Sequence, residues 1–174
     1  MKIVLVGINA KYIHTNLAVR SLQANAGKYR NEVEIAEYTI NHSIQEILSD
    51  LFDREPDVVG FSCYLWNIEY VMRLAQDWKK IWPQGKIVVG GPEVSYNPEK
   101  TFEQYPFVDL LIRGEGEYTF KEVLAWLHGE KQSRAELSGV AYLEEGELHI
   151  GPPQKAMDMG DLVFPYESLD GLEN

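Results

Sequence analysis

Cysteine, positive charge and long apolar runs are all scarce in this sequence, and each shortage removes a class of function. Cys63 is the single cysteine, so the chain cannot by itself build a disulfide framework, a cysteine-rich zinc site or an iron–sulfur cluster. Lysine and arginine number 16 against 27 aspartates and glutamates, a formal charge of −11, which argues against a nucleic-acid backbone as partner. No stretch approaches the ~18 uninterrupted apolar residues of a membrane span. The apolar run in the opening MKIVLVGINAKYIH is too short for a signal peptide. The expectation is a cytoplasmic protein with no nucleic-acid and no membrane partner.

What is present is a repeated alternation. Five short apolar runs, KIVLVGI, EVEIAEYTI, DVVGFSC, KIVVGG and VDLLIRG, read as strands. The first, third and fourth are apolar almost throughout, the pattern of parallel strands covered on both faces. The second alternates apolar with polar residues, as an edge strand does. Between them lie segments of helical spacing: Leu17, Leu22 and Ala26 begin one face, and Phe120, Val123, Leu124 and Leu127 make another. Thr15 or Asn16 and Ser43 are candidate N-caps, and Gly129 stands where a helix-ending glycine belongs. This order predicts a flavodoxin-like, doubly wound α/β domain with a five-stranded parallel sheet in the order 2-1-3-4-5 over residues 1–135. Residues 136–174 read as an extension: a β-hairpin turning at Glu145-Gly146, then a linker with no period.

Ligands of such sheets bind outside the carboxyl ends of the strands. The loops there are NAKYIHTN, NHS, SCYLWN, GGPEVSYN and RGEGE, a mixture of flat aromatics and backbone that can be approached closely. That suits a large, flat, amide-rich ligand. Common alternatives lack their motifs: there is no G-x-G-x-x-G, no G-x-x-x-x-G-K-[ST] and no G-x-S-x-G. His14 and His42 also suit capping, Cys63 a buried strand end, Tyr64 and Trp66 a cover for the sheet, and the glycines of GEGE a helix start. Gly90 and Gly91, followed by Pro92 and Glu93, point to close backbone approach, by a neighbouring loop or by a ligand.

Taken together and in order, NAKYIHTNLAVRSL, DVVGFSCYLWN, VVGGPEVS and LIRGEGEYTF resemble the N-terminal cobalamin-binding domain of cobalamin-dependent radical S-adenosylmethionine proteins over about residues 1–130. The tail DMGDLVFPYESLDGLEN resembles the linker to their radical domain. The resemblance implies cobalamin as cofactor, with its corrin on the strand carboxyl ends. It implies that Ser62 faces the nucleotide tail and that Gly90, Gly91, Pro92 and Glu93 form the glycine turn. Gly114, Glu115 and Gly116 then form the loop after the fifth strand, with Asn9, Tyr12, His14, Tyr64 and Trp66 around the corrin.

Two departures qualify that picture. No histidine lies in D-x-H-x-x-G: Tyr12, Ile40, Trp126 and Glu147 stand two residues before the four histidines. The lower face of cobalt is thus left to water, a side chain or nothing, with His14 the remaining side-chain candidate. The C-x-x-x-C-x-x-C of a radical cluster is also absent, so a 4Fe-4S cluster and S-adenosylmethionine would belong to a radical domain in cis. The whole protein would then perform methyl transfer or radical chemistry on an unactivated carbon, a porphyrin-like substrate among the candidates, and this chain would not be catalytic alone. Two other readings stay open. One is a small-molecule enzyme using Glu93, Glu115 and Glu117 as acid–base groups. The other is a degenerate docking domain working through the hairpin and Phe164-Pro165-Tyr166.

Overall fold

Glycine, proline and capping residues set the element boundaries in the computed structural model, which describes residues 1–10, 15–155 and 160–165. The strands are β1 (Ile3–Asn9), β2 (Val33–Thr39), β3 (Val58–Ser62), β4 (Lys86–Gly90), β5 (Leu110–Ile112), β6 (Val140–Glu144) and β7 (Glu147–Ile150). The helices are α1 (Leu17–Ala24), α2 (Ile44–Arg54), α3 (Ile68–Ile81), α4 (Pro92–Ser95), α5 (Pro98–Gln104) and α6 (Gly116–Leu127). Asn16 caps α1 by accepting from the Val19 N–H, and Ser43 with Glu46 forms a complete capping box on α2. Gly129 adopts φ 75° just past α6.

The sheet runs β2-β1-β3-β4-β5-β6-β7. Its first five strands are parallel and in the expected order. The expected five-stranded sheet is corrected to seven, because the hairpin is not a separate appendage. Val140 pairs with Ile112 and Ala141 with Leu111, so β6 and β7 continue the sheet in antiparallel sense. The reason lies in what the hairpin buries: Leu137, Val140, Ala141 and Tyr142 all leave solvent, while the three-residue β5 would otherwise present an unpaired edge. The hairpin turns at Glu145 and Gly146 as expected, with φ 52° and 85°, the left-handed pair a two-residue turn requires.

Side-chain alternation along the strands divides the core in two. Val4, Val6 and Ile8 of β1 join Val59, Phe61, Ile87 and Val89 in packing against α2, α3 and α5. Ile3 and Leu5 join Val58, Val88, Leu110 and Ile112 in packing against α1 and α6. Because both faces are covered, the central strands read as continuous apolar runs.

The carboxyl ends of β3 and β4 meet closely. The Cys63 N–H donates to the Gly90 carbonyl at 2.7 Å, extending the ladder one step beyond the strands. Gly91 then turns at φ 110°, ψ 170°, a conformation essentially reserved for glycine. A β-carbon there would lie 2.4 Å from the Cys63 carbonyl oxygen. The close backbone approach announced by Gly91 is therefore to the chain's own β3 end. Gly91→Ala is expected to lower unfolding stability by at least about 2 kcal/mol in urea titration.

Candidate functional site

Between α1 and α6, above the carboxyl ends of β3, β4 and β5, the second core face opens into a slot of about 130 Å³. That is close to the ~150 Å³ apolar cavity that accommodates a benzene ring in other proteins. Its walls are mostly apolar, with Leu22 of α1, Phe120 of α6, and Val88 and Ile112 of the sheet. Missing side chains make the space. Gly60 interrupts the middle of β3, and Gly90, Gly91, Gly114 and Gly116 line the slot as well. At Gly90 a β-carbon would meet nothing closer than Ile112 at 3.6 Å, and at Gly114 nothing within 4 Å. Gly90 is thus not needed for internal packing and leaves room at the slot, whereas Gly114, at φ 72°, also serves the backbone turn.

Polar groups gather at one side of this apolar space. Ser62 and Asn16 are both buried, and the Asn16 Nδ2 donates to the Ser62 Oγ at 3.0 Å. The Asn16 backbone N–H donates to Glu37 Oε1 at 2.5 Å, and Arg20 pairs with the other Glu37 oxygen at 2.5 Å. Across the slot, Ser21 of α1 donates to Glu117 of α6 at 2.7 Å and ties the two walls together. Asn67, 1% exposed, accepts from the Tyr64 N–H and donates to the carbonyls of Ile8 and Ser62, which fixes the loop after β3 to the ends of β1 and β3. On that loop the rings of Tyr64 and Trp66 stack with centroids 4.5 Å apart and planes within 4°. Tyr64 lines the slot, whereas Trp66 is 55% and Leu65 78% exposed, leaving a flat aromatic plate open at the end of the sheet.

Of the residues expected from sequence, Ser62, Tyr64, Gly90, Gly91, Gly114 and Gly116 converge on the slot. Trp66 stands beside it on the plate. Glu115 borders a neighbouring cleft with Arg113 and Lys155. Pro92 and Glu93 begin α4 and are not part of the slot lining. Asn9 is buried at the end of β1, its Nδ2 3.5 Å from Glu37, outside the lining. Tyr12 and His14 lie outside the described residues. Sequence reasoning missed Gly60, Glu37 and the wall residue Phe120 as site groups, and it took Asn16 for a cap alone. The spacing of Leu22 and Phe120 marks apolar helix faces, but nothing in it says that those faces stand apart over part of their length.

The remaining candidates have structural roles. His42 Nδ1 lies 3.1 Å from the Thr39 N–H, His128 stacks on Tyr29 and pairs with Glu32, and His149 stacks on Tyr142. Among the described residues no cluster of histidine, cysteine and carboxylate groups could hold a metal ion, and no helix is long and apolar enough to cross a membrane. Glu117 is engaged by Ser21, Glu115 belongs to the adjacent cleft and Glu93 to α4, so the three carboxylates do not converge on one cavity.

Burial pushes the Cys63 thiol from its ordinary 9.0 up to about 12. The folded state therefore favours the protonated thiol, whose contribution to stability is complete below about pH 9 and is lost as the pH rises towards 12. In the native protein Cys63 is expected to resist iodoacetamide at pH 8, reacting only at the rate of unfolding. Alkylation as fast as that of the urea-unfolded chain would contradict its burial.

Three known proteins place this geometry. TokK of Streptomyces tokunonensis, a cobalamin-dependent radical SAM methyltransferase, is 38% identical over 113 residues, covering 64% of this chain and 17% of its own. The 2-(S-pantetheinyl)-carbapenam-3-carboxylate methyltransferase of Streptantibioticus cattleyicolor is 33% identical over 114 residues, covering 66% of this chain and 16% of its own. The chain thus spans about a sixth of these curated relatives. The solved structure of the cobalamin-dependent S-adenosylmethionine radical enzyme OxsB, with aqua-cobalamin and S-adenosylmethionine bound, shares the fold at a TM-score of 0.71 and 22% identity, covering 89% of this chain and 22% of its own. Residues 3–124, well over half of the chain, match the B12 binding domain, and with the slot, the glycine turn and the parallel sheet already in place, the chain belongs to that family.

Proposed function

We propose that this chain is the cobalamin-binding module of a larger radical S-adenosylmethionine protein. In this reading the slot between α1 and α6 receives the nucleotide tail, and the Tyr64–Trp66 plate faces the corrin. The observation that carries it is the slot itself: an apolar, ring-sized space opened by Gly60, Gly90 and Gly114, with the buried Ser62 hydroxyl at its side. Leu22, Val88, Ile112 and Phe120 would hold a flat ring by apolar contact and exclude water. Ser62 would fix its orientation, and the exposed aromatics would cover part of the macrocycle. Cobalamin, when bound, supplies a cobalt centre able to carry a methyl group or take part in radical chemistry. The chain's own residues bind, orient and shield it.

The partner in this reading is a radical S-adenosylmethionine domain in cis, carrying the 4Fe-4S cluster that a chain with one cysteine cannot hold. Support comes from the contacts of Val163. Asn25, the C-cap of α1, donates from Nδ2 to the Val163 carbonyl at 3.0 Å and accepts from the Val163 N–H at 2.9 Å. That clasp holds Val163 beside the end of α1, on the helical face that holds the slot. We assign the linker role to this segment. Methyl transfer by the whole protein is the activity in best accord with the named relatives, and a cytoplasmic location goes with it.

Titration of the 174-residue chain with hydroxocobalamin, followed in the visible spectrum, is expected to give saturable binding. Gly90→Leu tests the slot, because a β-carbon fits at that position and the remaining carbons must occupy the opening. The variant is expected to keep a native circular dichroism spectrum and to bind at least about tenfold more weakly. A folded Gly90→Leu protein with undiminished affinity, or a wild-type chain that binds nothing up to about 1 mM, would refute the reading.

A further inference from the structure

Asn16 does more than its helix requires. Its Oδ1 accepts from the Val19 N–H at 3.3 Å, the ordinary work of an N-cap, which serine, threonine or aspartate would do as well. Only asparagine adds a donor at the other end of the same short side chain. Because the oxygen is engaged by an N–H, the end facing Ser62 is the amide nitrogen, and Nδ2 can only donate. Ser62 Oγ is therefore the acceptor of the 3.0 Å bond between them. The serine's own hydrogen remains unspent, and among the described residues no group accepts it.

The arrangement is held from several sides. Asn16 is 6% and Ser62 7% exposed, so water does not substitute freely for either partner. Gly7 of β1 lies directly beneath: a β-carbon there would come 2.8 Å from the Asn16 Cβ. Glu37 of β2 accepts from the Asn16 N–H and is itself paired with Arg20 one turn along α1. Residues of β1, β2, β3 and α1 thus fix one amide against one hydroxyl at the side of the slot.

We propose that Asn16 is a positioning residue that sets the polarity of Ser62, turning the serine hydroxyl hydrogen into the slot so that the slot selects a ligand tail bearing a hydrogen-bond acceptor. The proposal rests on the cofactor reading above and adds to it a residue that touches no ligand. It also accounts for asparagine at a cap where aspartate would serve the helix equally.

Asn16→Asp separates the two roles. The carboxylate has the same shape and caps as well, but it can only accept, so Ser62 must donate to it and then shows the slot only lone pairs. Two corrinoids provide the readout: cobalamin, and cobinamide, which lacks the nucleotide tail. Asn16→Asp is expected to weaken cobalamin binding about tenfold and to leave cobinamide binding unchanged. Combined with Ser62→Ala, it is expected to add no further loss, since the hydroxyl through which Asn16 acts is gone. As a control for repulsion between the new carboxylate and Glu37, Asn16→Ser keeps the cap without reaching Ser62; it leaves the Ser62 hydrogen untaken but unoriented and is expected to show a smaller loss of the same selectivity. Wild-type affinity for cobalamin in both Asn16 variants, an equal loss for both corrinoids, or losses that add in the double variant would each overturn the proposal. Failure of the wild-type chain to bind either corrinoid would instead refute the cofactor reading, and this proposal with it.

Discussion

The passage of the Cys63 backbone against Gly91 is the constraint on which the functional end of the molecule depends. By bonding to the Gly90 carbonyl, the Cys63 N–H carries the β3–β4 ladder past the last strand residues. The two following loops can then diverge, one toward the Tyr64–Trp66 plate and the other into α4. The contact is possible only because Gly91 has no β-carbon and tolerates φ 110°. With the strand ends locked together, Gly90 and Ser62 become neighbours across the sheet, and the slot acquires a rigid floor. Binding geometry in this protein is therefore built on backbone, with side chains supplying only the walls and one hydroxyl.

A second theme is construction by omission. A central parallel strand is ordinarily filled with branched apolar residues, yet β3 carries Gly60 in its middle and β4 ends in Gly90. Both glycines line a ring-sized apolar space between α1 and α6 that folding does not fill. The Ser21–Glu117 bond holds the walls at a fixed separation. Such a space is preorganised, so a ligand entering it need not meet the entropy of ordering its own site.

Most of the fold was legible in the sequence because parallel strands buried on both faces leave continuous apolar runs, and because Asn16, Ser43, Gly129 and Glu145-Gly146 mark element ends by their chemistry. The one error of architecture, five strands in place of seven, arose from treating the hairpin as separate. Strand pairing is a long-range choice, and the short GVAYLEE run does not announce that Val140 will lie beside Ile112. At the candidate site, Ser62 and Gly90 at strand ends, Tyr64, Gly91 and Gly114 just beyond them, and Gly116 at the start of α6 line the slot. Pro92 and Glu93 do not, because the chain after Gly91 turns at once into α4, and Asn9 does not, because it lies at the end of β1 beside Glu37, away from the space over β3, β4 and β5. The contribution of Asn16 was hidden for another reason. Its partners Ser62 and Glu37 lie 46 and 21 residues away, and a capping position already accounted for its identity.

Family membership and local chemistry converge on the same end of the sheet, although the relatives are about four times as long as this chain. The measurement that tests the account most directly is a crystal structure of the chain grown with hydroxocobalamin. The account predicts the nucleotide tail between α1 and α6, with an acceptor atom within hydrogen-bond reach of Ser62 Oγ and the corrin against Tyr64 and Trp66. Cobalamin bound elsewhere, with the space beside Gly60 and Gly90 left vacant, would contradict it.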